Sequence, residues 1–360
     1  MSILLVFVLR LECLAQDGNN VATINQPTRR QTLKSTLSKA KHAVMAVSAG
    51  LCMTAAAQPI AMETAAAGSV LGLMPQGMAT AWSEQGVQLQ LATGQTLTKS
   101  LLKMAKGTLD TAIVPPTAYA ALKKGVGPYS SLGDKGAALA GNVRSLFSFG
   151  SSTYHMVVWA DSGSDDWSQI KGKRVFIGPP AGAANAMIRS IVKAGSGFED
   201  GKDYEGVKAP WNAAMQNFKD GQFDMFISTL PVGSQALVEL GLTKPFRLLS
   251  VPADKEPSMG FTRTVIPANT YPDQVNKAED VTTWVSIMTM MAKKDLSDDV
   301  AYKLTKTYFE QLPAVKKSNS LLAILRAEDR FASMQAPLHP GALKYYQEAG
   351  VDVPARLIAQ

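Results

Sequence analysis

The stretch Ile170-Lys171-Gly172-Lys173-Arg174-Val175-Phe176-Ile177-Gly178-Pro179-Pro180-Ala181-Gly182-Ala183-Ala184-Asn185-Ala186-Met187 sets the reading of the whole chain. Val175 to Ile177 is a short apolar, β-prone run of the kind buried on both faces of a parallel sheet. Gly178-Pro179-Pro180 ends it. Beyond the break, Met187, Ile188, Ile191 and Val192 recur at helical spacing, so a helix begins beside the carboxyl end of a strand. A helix start offers unpaired N–H groups and the positive end of the dipole, and small residues there let an anion approach the backbone. The same residues would also serve as an ordinary strand-to-helix turn, so the choice depends on the rest of the chain.

Outward from this stretch the same order repeats. Toward the amino end, Ser69–Leu73, Val87–Leu91 and Thr111–Val114 read as strands. Met78–Gln85, Leu97–Lys106 and Ala118–Lys124 read as the helices after them. Toward the carboxyl end, Met225–Ile227 and Phe246–Val251 read as strands around a helix at 234–240. Leu146–Phe149, Tyr154–Trp159, Phe261–Ile266 and 280–291 are further strand-like runs. From Asp298 onward, including Leu321–Phe331 and Ala342–Gln347, the pattern is helical. Repeated strand–helix order implies parallel strands joined by right-handed crossovers. The fold class is therefore α/β, with parallel and mixed sheets. Ligands in such sheets collect at strand carboxyl ends, where Gln76-Gly77, Thr93 to Thr96 and Pro116-Thr117 place small or hydroxylated residues.

At 360 residues and 46% hydrophobic, the chain is long enough for two ordinary domains. Its formal charge of +7 is concentrated at the front: residues 1 to 57 hold six of the 36 basic residues and two of the 29 acidic ones, leaving the remainder at +3. That balance excludes the clustered basic face of a nucleic-acid binder. Residues 34–57 read as an export signal: Lys34, Lys39 and Lys41, an apolar run from Ala43 to Met53, then Ala55-Ala56-Ala57 as a cleavage pattern before Gln58. Upstream, Thr28-Arg29-Arg30-Gln31-Thr32-Leu33-Lys34 resembles the twin-arginine motif, with Thr32 where Phe is usual; both that route and the general secretory one fit. The expected location is the periplasm. Cys13 and Cys52 both precede the cut, so the exported chain holds neither a disulfide nor a thiol nucleophile.

Convergent reactive groups are missing from the sequence pattern. His42, His155 and His339 have no metal-ligand spacing, and no nucleophile elbow or phosphate-binding glycine loop occurs. Asp165-Asp166 reads as a solvated polar loop. The expectation is a protein that is not an enzyme and needs no cofactor or metal.

Four stretches carry a family resemblance: Leu146 to Trp159 together with Ile170 to Val175; Phe218-Lys219-Asp220-Gly221-Gln222-Phe223-Asp224; Val265 to Pro272; and, most distinctive, Pro337-Leu338-His339-Pro340-Gly341-Ala342-Leu343-Lys344-Tyr345-Tyr346-Gln347-Glu348. Over about residues 69 to 351 the chain resembles the TAXI family of solute-binding subunits of TRAP transporters. The resemblance implies a type II-like periplasmic-binding fold with two α/β lobes and two crossover strands. Residues 58–153 plus 262–360 would form one lobe and 154–261 the other. It also implies a small organic anion, a carboxylate or amino acid, delivered to TRAP permease subunits in the membrane. The expected ligand-binding residues are Gln76, Thr93, Gln95, Thr96, Thr117, Ser151, Ser152, Tyr154, Gly182, Ala183, Ala184, Asn185, Trp211, Ser228 and Thr229. Two departures bear on the ligand. Met74-Pro75-Gln76-Gly77-Met78 replaces a glycine-rich loop with a Thr-Tyr pair, and Ala181-Gly182-Ala183-Ala184 replaces Gly-Ser-Gly-Thr-Glu, so a ligand other than glutamate is expected. An enzyme or sensory module on the same fold, and the receptor of an ABC-type importer, are the alternatives.

Overall fold

The computed structural model describes residues 58–180, 184–255 and 260–359. The export signal, the twin-arginine-like motif, Gly182 and Ala183 lie outside the described residues. In chain order the elements are β1 (Ile60–Glu63), α1 (Val70–Glu84), β2 (Leu89–Ala92), α2 (Leu97–Ala105), β3 (Thr111–Val114), α3 (Pro116–Lys124), α4 (Lys135–Ala140) and β4 (Val143–Trp159). Then come β5 (Arg174–Phe176), α5 (Ala184–Ser196), β6 (Glu205–Val207), α6 (Trp211–Lys219), β7 (Met225–Leu230), α7 (Gln235–Thr243), β8 (Phe246–Leu248), β9 (Phe261–Ile266), β10 (Val281–Lys293), α8 (Asp298–Ser318) and α9 (Pro340–Glu348).

The strands form one mixed sheet in the order β2-β1-β3-β10-β4-β7-β5-β6, with β9 beside β10 and β8 beside β4. Each end is parallel: β1 pairs β2 and β3, and β5 pairs β6 and β7. The centre is antiparallel, where β10 and β4 run against each other and against their outer neighbours. These two long strands belong to both halves. The buried apolar residues divide accordingly. Two clusters come from residues 62–149 and 290–357, and two from residues 154–284.

Local sequence explains most of this. All four residues of β3 are buried, as a strand covered on both faces requires. In α5 the residues Met187, Ile188, Ile191 and Val192 face the core as their spacing predicts. Gly178 turns the chain out of β5 at φ 94°, and a Cβ there would lie 3.1 Å from the Cβ of Ala184. Only glycine fits both constraints. The Leu-His-Pro-Gly-Ala block acquires a packing role. His339 caps α9 by accepting a hydrogen bond from the Gly341 N–H, and a Cβ on Gly341 would sit 2.0 Å from the Asp298 carbonyl of α8.

Three expectations need correction. Ser69–Leu73 is not a strand: α1 starts at Val70, and the first strand is Ile60–Glu63. Pro75 lies inside α1, where its missing N–H frees the Leu71 carbonyl. The Thr64 hydroxyl donates to that carbonyl at 2.7 Å, so the helix passes through the proline without an unsatisfied acceptor. The runs 146–149 and 154–159 are one strand of 17 residues, bent by a bulge rather than interrupted by a loop. Residues 321–331 form two short 3-10 turns, Ser320–Ile324 and Ala327–Phe331, instead of an α-helix.

Phe147 of β4 stacks on Tyr308 of α8 with ring centroids 3.9 Å apart. The Tyr308 hydroxyl is buried without a protein partner, whereas the Tyr346 hydroxyl donates to the Leu146 carbonyl at 2.9 Å. Removing the two hydroxyls therefore has opposite outcomes. Tyr308→Phe leaves stability unchanged or raises it, and Tyr346→Phe costs about 1–3 kcal/mol by orphaning a buried carbonyl. Phe147→Ala costs about 3–5 kcal/mol. Urea unfolding midpoints of the three variants check this.

Candidate functional site: the central cavity

At the middle of the sheet lies a cavity of about 510 Å³. Its floor is β4 at Ser151–Thr153 and β10 at Val285, and its walls come from both halves. One wall holds Gly68-Ser69-Val70, at the start of α1. Another holds Thr229 to Val232, at the carboxyl end of β7. Thr264, Val265 and Pro267 of the β9 segment and residues 320–326 complete it. Strand carboxyl ends and a helix amino end thus meet at one place, where α/β sheets hold ligands.

The floor is shaped by a bulge. Ser286 pairs with Ser152 and Ile287 with Gly150, so Ser151 has no opposite residue. An extra residue of this kind bends the strand and re-aims its side chains. The Ser151 hydroxyl lies 2.8 Å from that of Ser286, which braces the bend.

Arg326 is the one charged side chain among the lining residues. Its Nε and Nη2 donate to the two carboxylate oxygens of Asp329 at 3.1 and 2.7 Å, and Nη2 also donates to the Thr262 hydroxyl at 3.2 Å. Asp329 is itself buried, with 5% of its side chain exposed. The hydrogen bonds that Arg326 donates to Asp329 outweigh burial and hold it firmly charged, above its ordinary range. A fork fixed on one edge leaves Nη1 for a guest. Across the cavity, the Ser69 hydroxyl donates to the Ala66 carbonyl instead of capping α1, so the first turn has no side-chain cap. Its N–H groups and the dipole suit negative charge. The remaining lining alternates hydroxyls (Ser152, Thr229, Thr264, Ser320) with apolar groups (Val70, Val232, Val285, Ile324).

Of the residues expected from sequence, the cavity gathers Ser151, Ser152 and Thr229. Others stand elsewhere. Gln76 lies on α1 and donates to the Ala67 and Gly72 carbonyls. Thr93, Gln95 and Thr96 belong to a turn strapped to the β1–α1 loop by Gly94 N–H to Ala65 (2.8 Å) and Gln95 N–H to Thr64 (2.9 Å). The Thr117 and Ser228 hydroxyls are buried without protein partners. Tyr154 is packed edge-on against Phe261 in an apolar cluster. Ala184 opens α5, and the Asn185 amide donates to the carbonyls of Ile177 and Pro179 at 2.6 and 2.9 Å, bracing its own turn. Trp211 is 42% exposed at the start of α6, edge-on to Phe176. The sequence reading missed Arg326 and the start of α1. A Gly-Ser pair before an apolar run was a usable helix-start signal at Gly68-Ser69; for Arg326, inside a 3-10 turn, no local signal existed.

A buried polar chain supports the rim. His155 Nδ1 lies 3.3 Å from the Thr153 carbonyl, and its Nε2 lies 2.9 Å from the Tyr271 hydroxyl, which accepts from the Gly233 N–H at 3.0 Å. It links the floor residue Thr153 to the loop carrying Pro231 and Val232. Burial pushes the His155 imidazole down from 6.5 to about 4, against the weaker effect of the Thr153 carbonyl. Among the described residues no cluster of three His, Cys, Asp or Glu exists that would hold a metal ion, and no helix is long and apolar enough to cross a membrane.

An α/β sheet whose two halves share two long central strands, with a cavity where they meet, is the architecture of the periplasmic-binding class of proteins. The chain belongs to the NMT1-like family, whose profile matches residues 62–350. Among solved structures it is similar to the putative sulfonate ABC transporter periplasmic sulfonate-binding protein SsuA from Methylobacillus flagellatus KT, at 12% identity and TM-score 0.46 over 81% of this chain and 87% of that one. It is similar to the sugar acid binding protein DctPAm from Advenella mimigardefordensis in complex with galactonate, at 13% identity and TM-score 0.40 over 82% and 85%. XAC2383 from Xanthomonas citri bound to chloride ion matches at 10% identity and TM-score 0.42 over 80% and 95%.

Because His155 binds its proton more weakly folded than unfolded, its contribution to stability is complete above about pH 6.5. It is lost as pH falls toward about 4. The window is worth about 3 kcal/mol. Burial lowers the His339 value as well, in the same direction. His155→Gln, which cannot take up the proton, loses about 2–3 kcal/mol less than the parent between pH 7 and 4.5 in urea unfolding.

Proposed function

We propose that this chain is the exported, non-enzymatic solute receptor of a TRAP-type transporter of the TAXI family, and that it takes a small organic anion in the central cavity. The observation that carries the anion is the Arg326 fork, held by buried Asp329 and facing the uncapped start of α1. The volume of about 510 Å³ suits a guest of roughly metabolite size. Hydroxyls and apolar groups in alternation suit a carboxylate with a short carbon skeleton. Of the residues expected from sequence, Ser151, Ser152 and Thr229 are the proposed contacts retained, with Arg326 and Ser69 added.

In this reading the lobes expected as 58–153 with 262–360, and 154–261, take their second boundary inside β10 instead, because Ile266, Tyr271, Val281 and Trp284 pack in the apolar clusters of the 154–261 half. They close over the ligand by twisting β4 and β10, the strands they share. The TRAP permease as partner is supported by the Leu-His-Pro-Gly-Ala block around His339 and its companion stretches. Its export is supported by the signal pattern ending at Ala57.

Thermal-shift screening of the purified protein against carboxylates, sulfonates and neutral sugars tests the ligand class. A bound acid at a hundredfold excess over its Kd adds about 2.7 kcal/mol of stability. Arg326→Ala weakens that acid about tenfold or more. Stabilisation by neutral solutes alone, or an Arg326→Ala variant that binds as well as the parent, removes the reading. Export is checked separately, by sequencing the amino end of the periplasmic protein: it starts at Gln58.

A further inference from the structure

A second cavity, of about 340 Å³, opens on the flank of the sheet half that contains β3, between α3, α4, the first residues of β4 and residues 335–359. Lys123 of α3, Arg144 of β4 and Arg356 converge on it, and no acidic side chain lines it. None of the three makes an ion pair among the described residues.

The two guanidinium groups are tethered rather than free. Arg144 donates from Nη1 to the carbonyls of Gly141 and Val143, both at 2.8 Å, and Arg356 donates from Nη1 to the Met334 carbonyl at 2.9 Å. Their Nε and Nη2 edges have no protein acceptor among the described residues. A fork anchored at one nitrogen has already lost part of its rotamer entropy, so binding through the other edge costs less. The Arg144 charge is felt locally: it opposes the burial that raises the Tyr119 hydroxyl.

Three like charges around one concavity repel one another, and a guest of equal and opposite charge offsets that repulsion best. A monocarboxylate leaves most of it in place. Tetrahedral phosphoryl groups carry up to two charges each and accept bidentate bonds from arginine. We propose that this cavity binds a small multivalent oxyanion of the phosphate or pyrophosphate class. The site is separate from the central cavity. Along β4, Arg144 and Ser151 are seven residues apart, or roughly 23 Å.

Titration calorimetry of the purified protein with inorganic pyrophosphate tests the site, with phosphate as the weaker probe. The expected result is one pyrophosphate per chain. Lys123→Glu and Arg356→Ala each weaken it about tenfold or more. Arg326→Ala, in the central cavity, leaves it unchanged. Lys123 and Arg356 are exposed, so both variants fold, and circular dichroism confirms that. Arg144→Ala completes the set but removes two carbonyl contacts, so its result counts only alongside the other two. The proposal is overturned by absence of pyrophosphate binding, or by equal affinity in the Lys123 and Arg356 variants. Binding lost only with Arg326→Ala also overturns it, as does binding to vesicles of equimolar phosphatidylcholine and phosphatidylglycerol without binding of free pyrophosphate.

Discussion

One strand has to satisfy two apolar interiors at once, and the rest of the molecule is arranged around that demand. β4 runs 17 residues, burying Phe147 and Phe149 among the residues packed on α1 and α8, and Met156 and Val158 among those packed on α5. A straight strand of this length would keep one face pattern throughout. The unpaired Ser151 shifts the register by one residue between the two stretches, and a shift of one exchanges the faces. The bulge is thus where one interior ends and the other begins, and the cavity lies over it. Hydroxyls appear among the apolar groups of the lining because the segment Ser151-Ser152-Thr153 belongs fully to neither core.

Electrostatics in the cavity follow from the same economy of buried charge. Asp329 is buried too deeply to be left alone, and Arg326 is the group that accompanies it. Their bidentate contact fixes the guanidinium without fully consuming its donors. On the opposite wall, the helix start contributes partial positive charge without a titratable group. Both features are insensitive to pH near neutrality. His155, which contacts the carbonyl of the floor residue Thr153, is held neutral by its burial.

Much of this was legible from residue patterns, for a consistent physical reason. Where one local pattern and one environment coincide, as in β3, α5 and β7, the expected and observed elements agree to within a few residues. Misreadings occurred where a distant residue overrides a local rule. Pro75 argues for a break, and only Thr64 across the loop makes the helix tolerable. Gly150-Ser151-Ser152-Thr153 looks like a loop, and only the neighbouring β10 makes it a strand. Strand ends do meet at the central cavity, and of the residues expected at a site only Ser151, Ser152 and Thr229 line it. Ser151, Ser152 and Thr229 sit on strands whose direction sequence reveals. Arg326 reaches the same place from a 3-10 turn far along the chain, and Asn185 turns its amide inward to support its own bend.

The Thr64–Leu71 contact has a consequence for how this sequence can drift. The threonine hydroxyl stands in for the backbone donor that Pro75 lacks, so neither position is independent of the other. Replacing Thr64 by valine strands a buried acceptor unless position 75 regains its N–H. Restoring that N–H first makes the hydroxyl redundant and frees position 64 to vary. Mutational paths through this pair are therefore ordered, with the proline the first to leave and the last to arrive.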